Sequence, residues 1–520
     1  MSEKYRGFSL VSGALGVGFA LAAVAVHAQS HTGPHSSQPP YIVPTAPGWE
    51  VTALISAGDS ARDVPYRLVG IPDGMGALPG RFGGNGDYFA DKATMTVFLN
   101  HELGASSGVA RAHGQTGAFV SQWTIHLDSR QVTRGEDLIT RVMTWNGDAF
   151  ADTTGTTRFD RFCSADLPAR TAFFNPASGK GFDGRLFMKG EEAGTEGRAF
   201  ATVLTGEGKG TAYQLPYLGR FSWENALAHP DAGDNTLVMG LDDSSPGQLY
   251  LYAGDKRRHG NPVEQAGLHG GKLYGIRVTD GGENYANAPV RLENAGAING
   301  RFELVELSRY ATGSGATLQM QSAAAGVTEF ARPEDGHWDS RNPNVFYWVT
   351  SGRAPVLGAP QSARLYRLTF DAIGNPAGGA IEMVLDSASL TGTDGQTARS
   401  FDNMTVDGAG NVLIQEDPGN SAYLARIWRF DPRTRQAVQL FESDRSRFLA
   451  GAPNFLTEAE EHSGIIEVTG IVKGARWYQP GRRYYLGNTQ AHYGLPGELV
   501  QGGQLYLMAS PKLAPARGKR

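Results

Sequence analysis

The stretch NVFYWVTSG, residues 344–352, decides how the chain folds. Its apolar run, Val345 to Val349, is too short for an ordinary helix and rich in β-branched and aromatic side chains, which favours a strand. Five other runs share its form: TMTVFLNHE (94–102), GRLFMKGEE (184–192), NTLVMGLDD (235–243), NVLIQEDPG (411–419) and RRYYLGNTQ (482–490). A second phrase alternates aromatic and aliphatic positions: QLYLYAG (248), KLYGIRV (272), RLYRLTF (364), RIWRFDP (426) and QLYLMAS (504). Period-two alternation marks a strand with one packed face. A third element carries an acid and precedes several of the runs: RFSWENALAHP (220–230), FARPEDGHWDS (330–340) and SFDNMTVDGAG (400–410). An acid-bearing strand, a hydrophobic strand and an alternating strand in repetition have the form of a propeller blade. The expected fold is all-β, a six-bladed β-propeller with long inter-blade insertions near residues 103–183 and 280–325. Two β-sandwiches are the competing architecture.

The rest of the chain frames that unit. Residues 1–28 read as a signal peptide, with Lys4 and Arg6 ahead of an apolar run and a small-residue cleavage site at Val26-His27-Ala28. The expected location is therefore periplasmic or secreted. Residues 29–50 are rich in Pro, Ser and Gly and read as a flexible linker, 51–511 as the propeller, and 512–520 as a disordered basic tail. Beyond the leader no apolar run reaches the roughly 18 residues of a spanning helix, so no stable membrane insertion is expected. A formal net charge of −5 argues against nucleic acid as a partner. The oligomeric state is not written in the sequence.

In a propeller the inner strand ends converge at one mouth, so acids distant in sequence meet in space. That expectation covers Glu224, Glu334 and Asp402, and an acid of TEAEEHSG (457–464). The ends of the hydrophobic runs add Glu191, Glu192, Asp242, Asp243, Glu416 and Asp417. So many carboxylates around one axis repel unless cations compensate, and oxygen donors suit calcium. The chain holds one cysteine, Cys163 in DRFCSADLP (160–168), which cannot form an internal disulfide. Its thiolate would add a softer donor suited to a transition metal; the bland alternative is a small buried hydrophobe. Asp166 and Asn403 are additional oxygen donors in reach of the same region, whereas Asp160 reads as a loop charge. His101 lacks the second histidine of an H-E-x-x-H helix and reads as structural. No P-loop, dinucleotide fingerprint or G-x-S-x-G elbow is present.

Taken in order, NHE (100–102), RFCSAD (161–166), GEE (190–192), GRFSWENA (219–226), LDDSSPGQLYLY (241–252), RPED (332–335), FDNMTVDGAGNVLI (401–414) and SGIIEV (463–468) resemble the PhoX-type alkaline phosphatases. The resemblance runs from about residue 50 to 510. It implies a phosphomonoesterase acting on a small-molecule phosphate monoester, with a calcium and iron cluster at the propeller axis. It implies Cys163 as an iron ligand, Glu224 and Glu334 as cluster glutamates, and Arg332 as the phosphate contact. It extends to Glu192, Asp242 and Asp402 as further metal ligands, and it implies a metal-bound hydroxide or oxide as nucleophile. The sequence departs from the family after Cys163, where LPARTAFFNPASGKGFDGRLFMKGEE replaces a Thr-Pro-Trp-Gly segment, and after Glu334, where Asp335 and Gly336 follow. The competing functions are a calcium-dependent propeller esterase or lactonase, a phosphodiesterase, and a non-catalytic binding propeller.

Overall fold

The computed structural model describes residues 29–83, 87–352, 358 and 360–512, so the expected signal peptide and all but Lys512 of the expected tail lie outside the described residues. The fold is all-β and propeller-like. Six innermost strands form a ring: Pro72–Pro79, Phe162–Asp166, Trp223–Ala228, Pro333–Trp338, Phe401–Val406 and Glu460–Glu467. Each packs on the next, and the last packs on the first. Every one pairs antiparallel with one of the hydrophobic runs, which form the strands Thr94–His101, Arg185–Glu191, Asn235–Asp242, Val345–Thr350, Val412–Glu416 and Tyr484–Gly494. These runs are apolar on both faces because each lies inside a sheet covered by neighbouring sheets on either side. Trp348, for example, is buried with its ring stacked on Tyr366 at 4.6 Å and edge-on to Phe330 at 4.7 Å.

The alternating phrases form third or fourth strands, among them Leu249–Asp255, Lys272–Asp280, Arg364–Phe370, Arg426–Asp431 and Gln501–Ala509. The insertion at 280–325 supplies the strand Asn299–Glu306, which pairs with Lys272–Asp280 on one side and Gly378–Asp386 on the other. Two sheets thereby fuse into one of nine strands. The same insertion carries the helix Gly315–Ala324, capped by the Ser314 side chain.

The chain ends close the ring. Glu50–Ser56 pairs with the C-terminal strand Gln501–Ala509, so first and last strands share a sheet. Residues 29–50, expected as a flexible linker, instead carry Gln29–His35, parallel to Glu50–Ser56, and Ile42–Pro44, antiparallel to Gln436–Ser443. Both sit at sheet edges, where the proline and glycine that make the segment look like a linker are tolerated. Tyr41, Ile42 and Trp49 are buried, and the Tyr41 N–H donates to Gln504 Oε1 at 2.7 Å.

Candidate metal centre

Position 2 of the six inner strands is Asp73, Cys163, Glu224, Glu334, Asp402 and Glu461. The register of all six inner ladders shifts at or immediately after this residue: between Pro72 and Met75, Phe162 and Ala165, Trp223 and Asn225, Pro333 and Gly336, Phe401 and Met404, and Glu461 and Gly464. A β-bulge adds a residue to one strand and re-aims its side chain, here off the ladder and toward the axis. The strands crowd at this level. A Cβ on Gly74 would lie 2.1 Å from the Ala165 nitrogen, so glycine is required there.

A second layer comes from residues at the ends of the hydrophobic strands. The backbone N–H groups of Glu102, Glu192, Asp243, Ser351, Asp417 and His492 donate to the carbonyls of Ile71, Arg161, Ser222, Arg332, Ser400 and Ala459, over 2.8–3.1 Å. The same bond therefore recurs at all six inner strands, and it makes these positions equivalent around the ring. Five of the six donors, all but Ser351, line one cavity of about 260 Å³ together with Cys163, Glu224, Glu334, Asp402, Glu461, Arg161 and Arg332.

Charge in this cavity is unbalanced. Eight carboxylates line it against two arginines and one histidine. Burial and mutual repulsion push Glu192, Glu334 and Asp402 well above the ordinary carboxyl range, with Asp73 beneath the cavity behaving alike. Burial brings Glu224 up to about 8 and Asp417 to about 7, and raises Glu102 against the pull of Arg161. The Cys163 thiol is likewise driven up, by burial and then by Asp73 and Glu224. Glu461 is the exception. Burial opposes its ionisation, but His492, 3.5 Å away, outweighs that and lowers it. The pairing holds His492 up at about 9 in spite of its burial, with Nδ1 against Gln501 Oε1 at 2.7 Å.

The donor set fits bound cations. Three groups each bring three ligand atoms within 4.8 Å of one another: Asp73, Glu102 and Cys163; Cys163, Glu192 and Glu224; Glu224, Glu334 and Asp402. Cys163 and Glu224 belong to two groups each, which makes the three groups continuous. Asp73 Oδ1 is buried and receives no hydrogen bond, and Glu334 Oε1 lies 3.1 Å from Arg332 Nη2 without receiving one. Buried oxygens left open in an electronegative cluster are suited to metal coordination rather than to packing.

Of the residues expected at the site, the structure brings together Cys163, Glu192, Glu224, Asp243, Arg332, Glu334, Asp402 and Asp417. It leaves Asp242, Glu191 and Glu416 outside. Successive residues of a strand point to opposite sides, so in each acidic pair the second member enters the cavity and the first turns away. Asp242 accepts from Ser222 N, Ser244 Oγ and Gln248 N. Glu191 takes both arms of Arg198 at 2.6 Å, and Glu416 is satisfied by Tyr423, Trp428 and the Arg399 and Arg426 amides. Asp166 and Asn403 line a separate axial cavity of about 330 Å³ on the other side of the cluster. Between the two cavities, Ser164 Oγ lies 2.7 Å from both Glu224 Oε1 and Asn403 Oδ1. Asp160 accepts from the Ala105 amide, and His101 stacks on Phe119 with Gly70 and Ser121 as partners, both as expected.

Sequence reasoning missed Asp73, Glu102, Arg161 and His492, and named Glu461 only as one acid among several. Asp73 sits in PDGMGALP, whose two glycines and two prolines hide a strand. Gln490 was also missed. Its Nε2 donates to Asp73 Oδ2 at 2.8 Å and to Glu102 Oε2 at 2.9 Å, holding two carboxylates of the cluster together.

Residues 206–427 match the family model described as alkaline phosphatase PhoX. Among solved structures, the chain is similar to that of Pseudomonas fluorescens PhoX in complex with vanadate, a transition state analogue, at 14% identity and a TM-score of 0.56, over 89% of this chain and 95% of that one. A hypothetical protein from Leishmania major aligns over 73% of this chain and 92% of its own at 11% identity, with a TM-score of 0.24. No curated protein matches the chain. In its order of motifs, its matched span of residues 206–427 and its propeller-like fold, the chain is similar to the PhoX-type alkaline phosphatases.

Proposed function

We propose that this protein is an exported, metal-dependent phosphomonoesterase whose centre holds calcium and iron. The observation that carries the reading is the convergence of Asp73, Cys163, Glu224, Glu334, Asp402 and Glu461 from one equivalent position of six strands. Cys163, with Glu192, Glu224 and Asp73 around it, would hold the iron, since a thiolate is the softest donor present. The all-oxygen group of Glu224, Glu334 and Asp402 suits calcium. Bound there, such ions supply Lewis acidity toward phosphoryl oxygens and toward water.

The protein's own part is to position and to neutralise. Arg332 is fixed by a two-armed ion pair with Asp243, at 2.9 and 2.6 Å, while its side chain stays 37% exposed at the cavity. A planar guanidinium held in this way binds a phosphate through two parallel hydrogen bonds, a geometry lysine cannot reproduce. The vanadate named with the similar Pseudomonas structure mimics a phosphoryl group and supports the same substrate class. The leader-like residues 1–28 support export.

The test is metal analysis of protein purified without chelators, paired with an assay on an aryl phosphate. Iron and calcium with phosphate release is the expected result. Calcium alone with no release overturns the reading, and N-terminal sequencing of the exported protein checks cleavage near Ala28.

A further inference from the structure

We infer that Arg161 is a second phosphate-gripping arginine, paired with Arg332 across the cavity, and that the two forks together select a dianionic phosphate monoester over a monoanionic diester. The inference rests on the phosphatase reading and extends it to the substrate.

Three observations carry it. First, Arg161 and Arg332 hold the same structural position. Each immediately precedes an inner strand, each accepts the recurrent backbone bond (from Glu192 and Ser351), and each takes a left-handed φ, +44° and +60°. That conformation is strained for a residue with a branched or long side chain. Ile71 and Ser400 share it at two further equivalent positions, so the backbone device belongs to the ring, and two of its sites carry arginine.

Second, the two side chains are held alike. Arg332 pairs with Asp243 and lies 3.1 Å from Glu334. Arg161 pairs with Glu102 at 2.6 Å and with Glu192, and its Nε donates to the Glu192 carbonyl at 3.0 Å. Each arginine is thus anchored by carboxylates of its own and an adjoining strand end, yet Arg161 remains 47% exposed and Arg332 37%. An arginine that served only to neutralise the cluster would have no reason to keep so much of its surface at the mouth.

Third, the inner strands that follow the two arginines are separated by one, Trp223–Ala228, which carries Glu224 between them. The forks therefore approach the same part of the cavity from two sides. A phosphate monoester dianion has three non-bridging oxygens and can accept from both forks while one oxygen faces the cluster. A diester has two such oxygens and one charge, and it must forgo one of these contacts.

The experiment uses metal-loaded protein with Arg161→Lys and Arg161→Met, and Arg332→Met alongside. Inorganic phosphate binding is measured by calorimetry, metal content by elemental analysis, and kcat/KM on aryl phosphate monoester and diester. The expected result is phosphate affinity weakened about tenfold to a hundredfold in both Arg161 variants, as for loss of charge-assisted hydrogen bonds, with metal content kept in Arg161→Lys. The monoester-to-diester preference falls in parallel. Unchanged phosphate affinity in Arg161→Lys and Arg161→Met overturns the proposal, as does a loss that metal add-back fully restores. Wild-type protein that binds phosphate without hydrolysing esters sinks the phosphatase reading and leaves the binding series to judge Arg161; wild-type protein that binds no phosphate sinks both.

Discussion

Cys163 Sγ lies 3.6 Å from Asp73 Oδ2, although the two residues are ninety positions apart. They are the second residues of adjacent inner strands, and the bulge at each aims them at one point. Metal-free, this contact joins a thiol and a carboxyl that both resist ionisation. A cation between them reverses that by stabilising both anions. The expected outcome for Cys163→Ser is loss of iron with retention of calcium, and a fall in phosphatase activity of about tenfold to a hundredfold, as when the support of a metal site is removed. Circular dichroism should show an intact fold. A variant that keeps its iron and its activity makes the cysteine a packing residue.

The adjacent acids 242 and 243 separate site from scaffold. Asp243→Asn loosens the two-armed hold on Arg332, so KM for an aryl phosphate should rise while denaturant stability changes little. Asp242→Asn should leave KM alone and cost about 1–3 kcal/mol, because Ser222 N, Ser244 Oγ and Gln248 N lose their carboxylate acceptor. Urea titrations and steady-state kinetics on the two variants distinguish the cases. The opposite assignment would show that the turn after residue 242 rearranges when metal binds.

How far the sequence reaches follows from the same pair. The six hydrophobic runs are legible because burial on both faces keeps most of their positions apolar, and all six take the same place in their sheets. Glu224, Glu334 and Asp402 are legible because each sits in an acid-bearing phrase that precedes one of the hydrophobic runs. Asp73 is not, since Pro72, Gly74, Gly76 and Pro79 erase the strand signal and Gly74 is there for a close approach that only the folded ring creates. Which acid of a pair faces the axis depends on the register of the hydrophobic strand against its inner neighbour, and register has no fixed sequence mark. Residues 29–50 read as linker because edge strands accept Pro and Gly; the buried Tyr41 and Trp49 were the overlooked signs of packing.

Metal removal should make stability depend on pH with a definite sign. In the metal-free protein Glu224 stands at about 8 and Asp417 at about 7, both raised above the values of an unfolded chain, near 4. A raised carboxyl binds its proton more tightly when folded. Its contribution is therefore fully present below the unfolded value and is lost as pH rises through 7 to 8. Chelated protein should melt at a lower temperature at pH 9 than at pH 6. Reloading with calcium and iron should remove most of that difference, because the cations then hold the carboxylates ionised. A chelated protein whose melting temperature is flat over this range contradicts the electrostatic account of the cavity.

Lys189 gives the opposite slope from a different place. It is fully buried on the strand Arg185–Glu191, with its amine near the rings of Phe162 and Phe187 and the Thr202 hydroxyl as hydrogen-bond partner, and among the described residues it makes no ion pair with a carboxylate. Burial lowers it to about 7 from the ordinary lysine value near 10.5. The folded state then holds it neutral where the unfolded chain holds it charged, so its penalty is absent above the unfolded value and grows as pH falls toward 7. Lys189→Met keeps the unbranched stem between the two rings and removes the charge. The variant should be more stable than wild type by about 2–4 kcal/mol at pH 6, with the gain shrinking steadily toward pH 10. Urea midpoints at the two pH values test this, and a gain that does not change with pH would assign the effect to packing rather than to the proton.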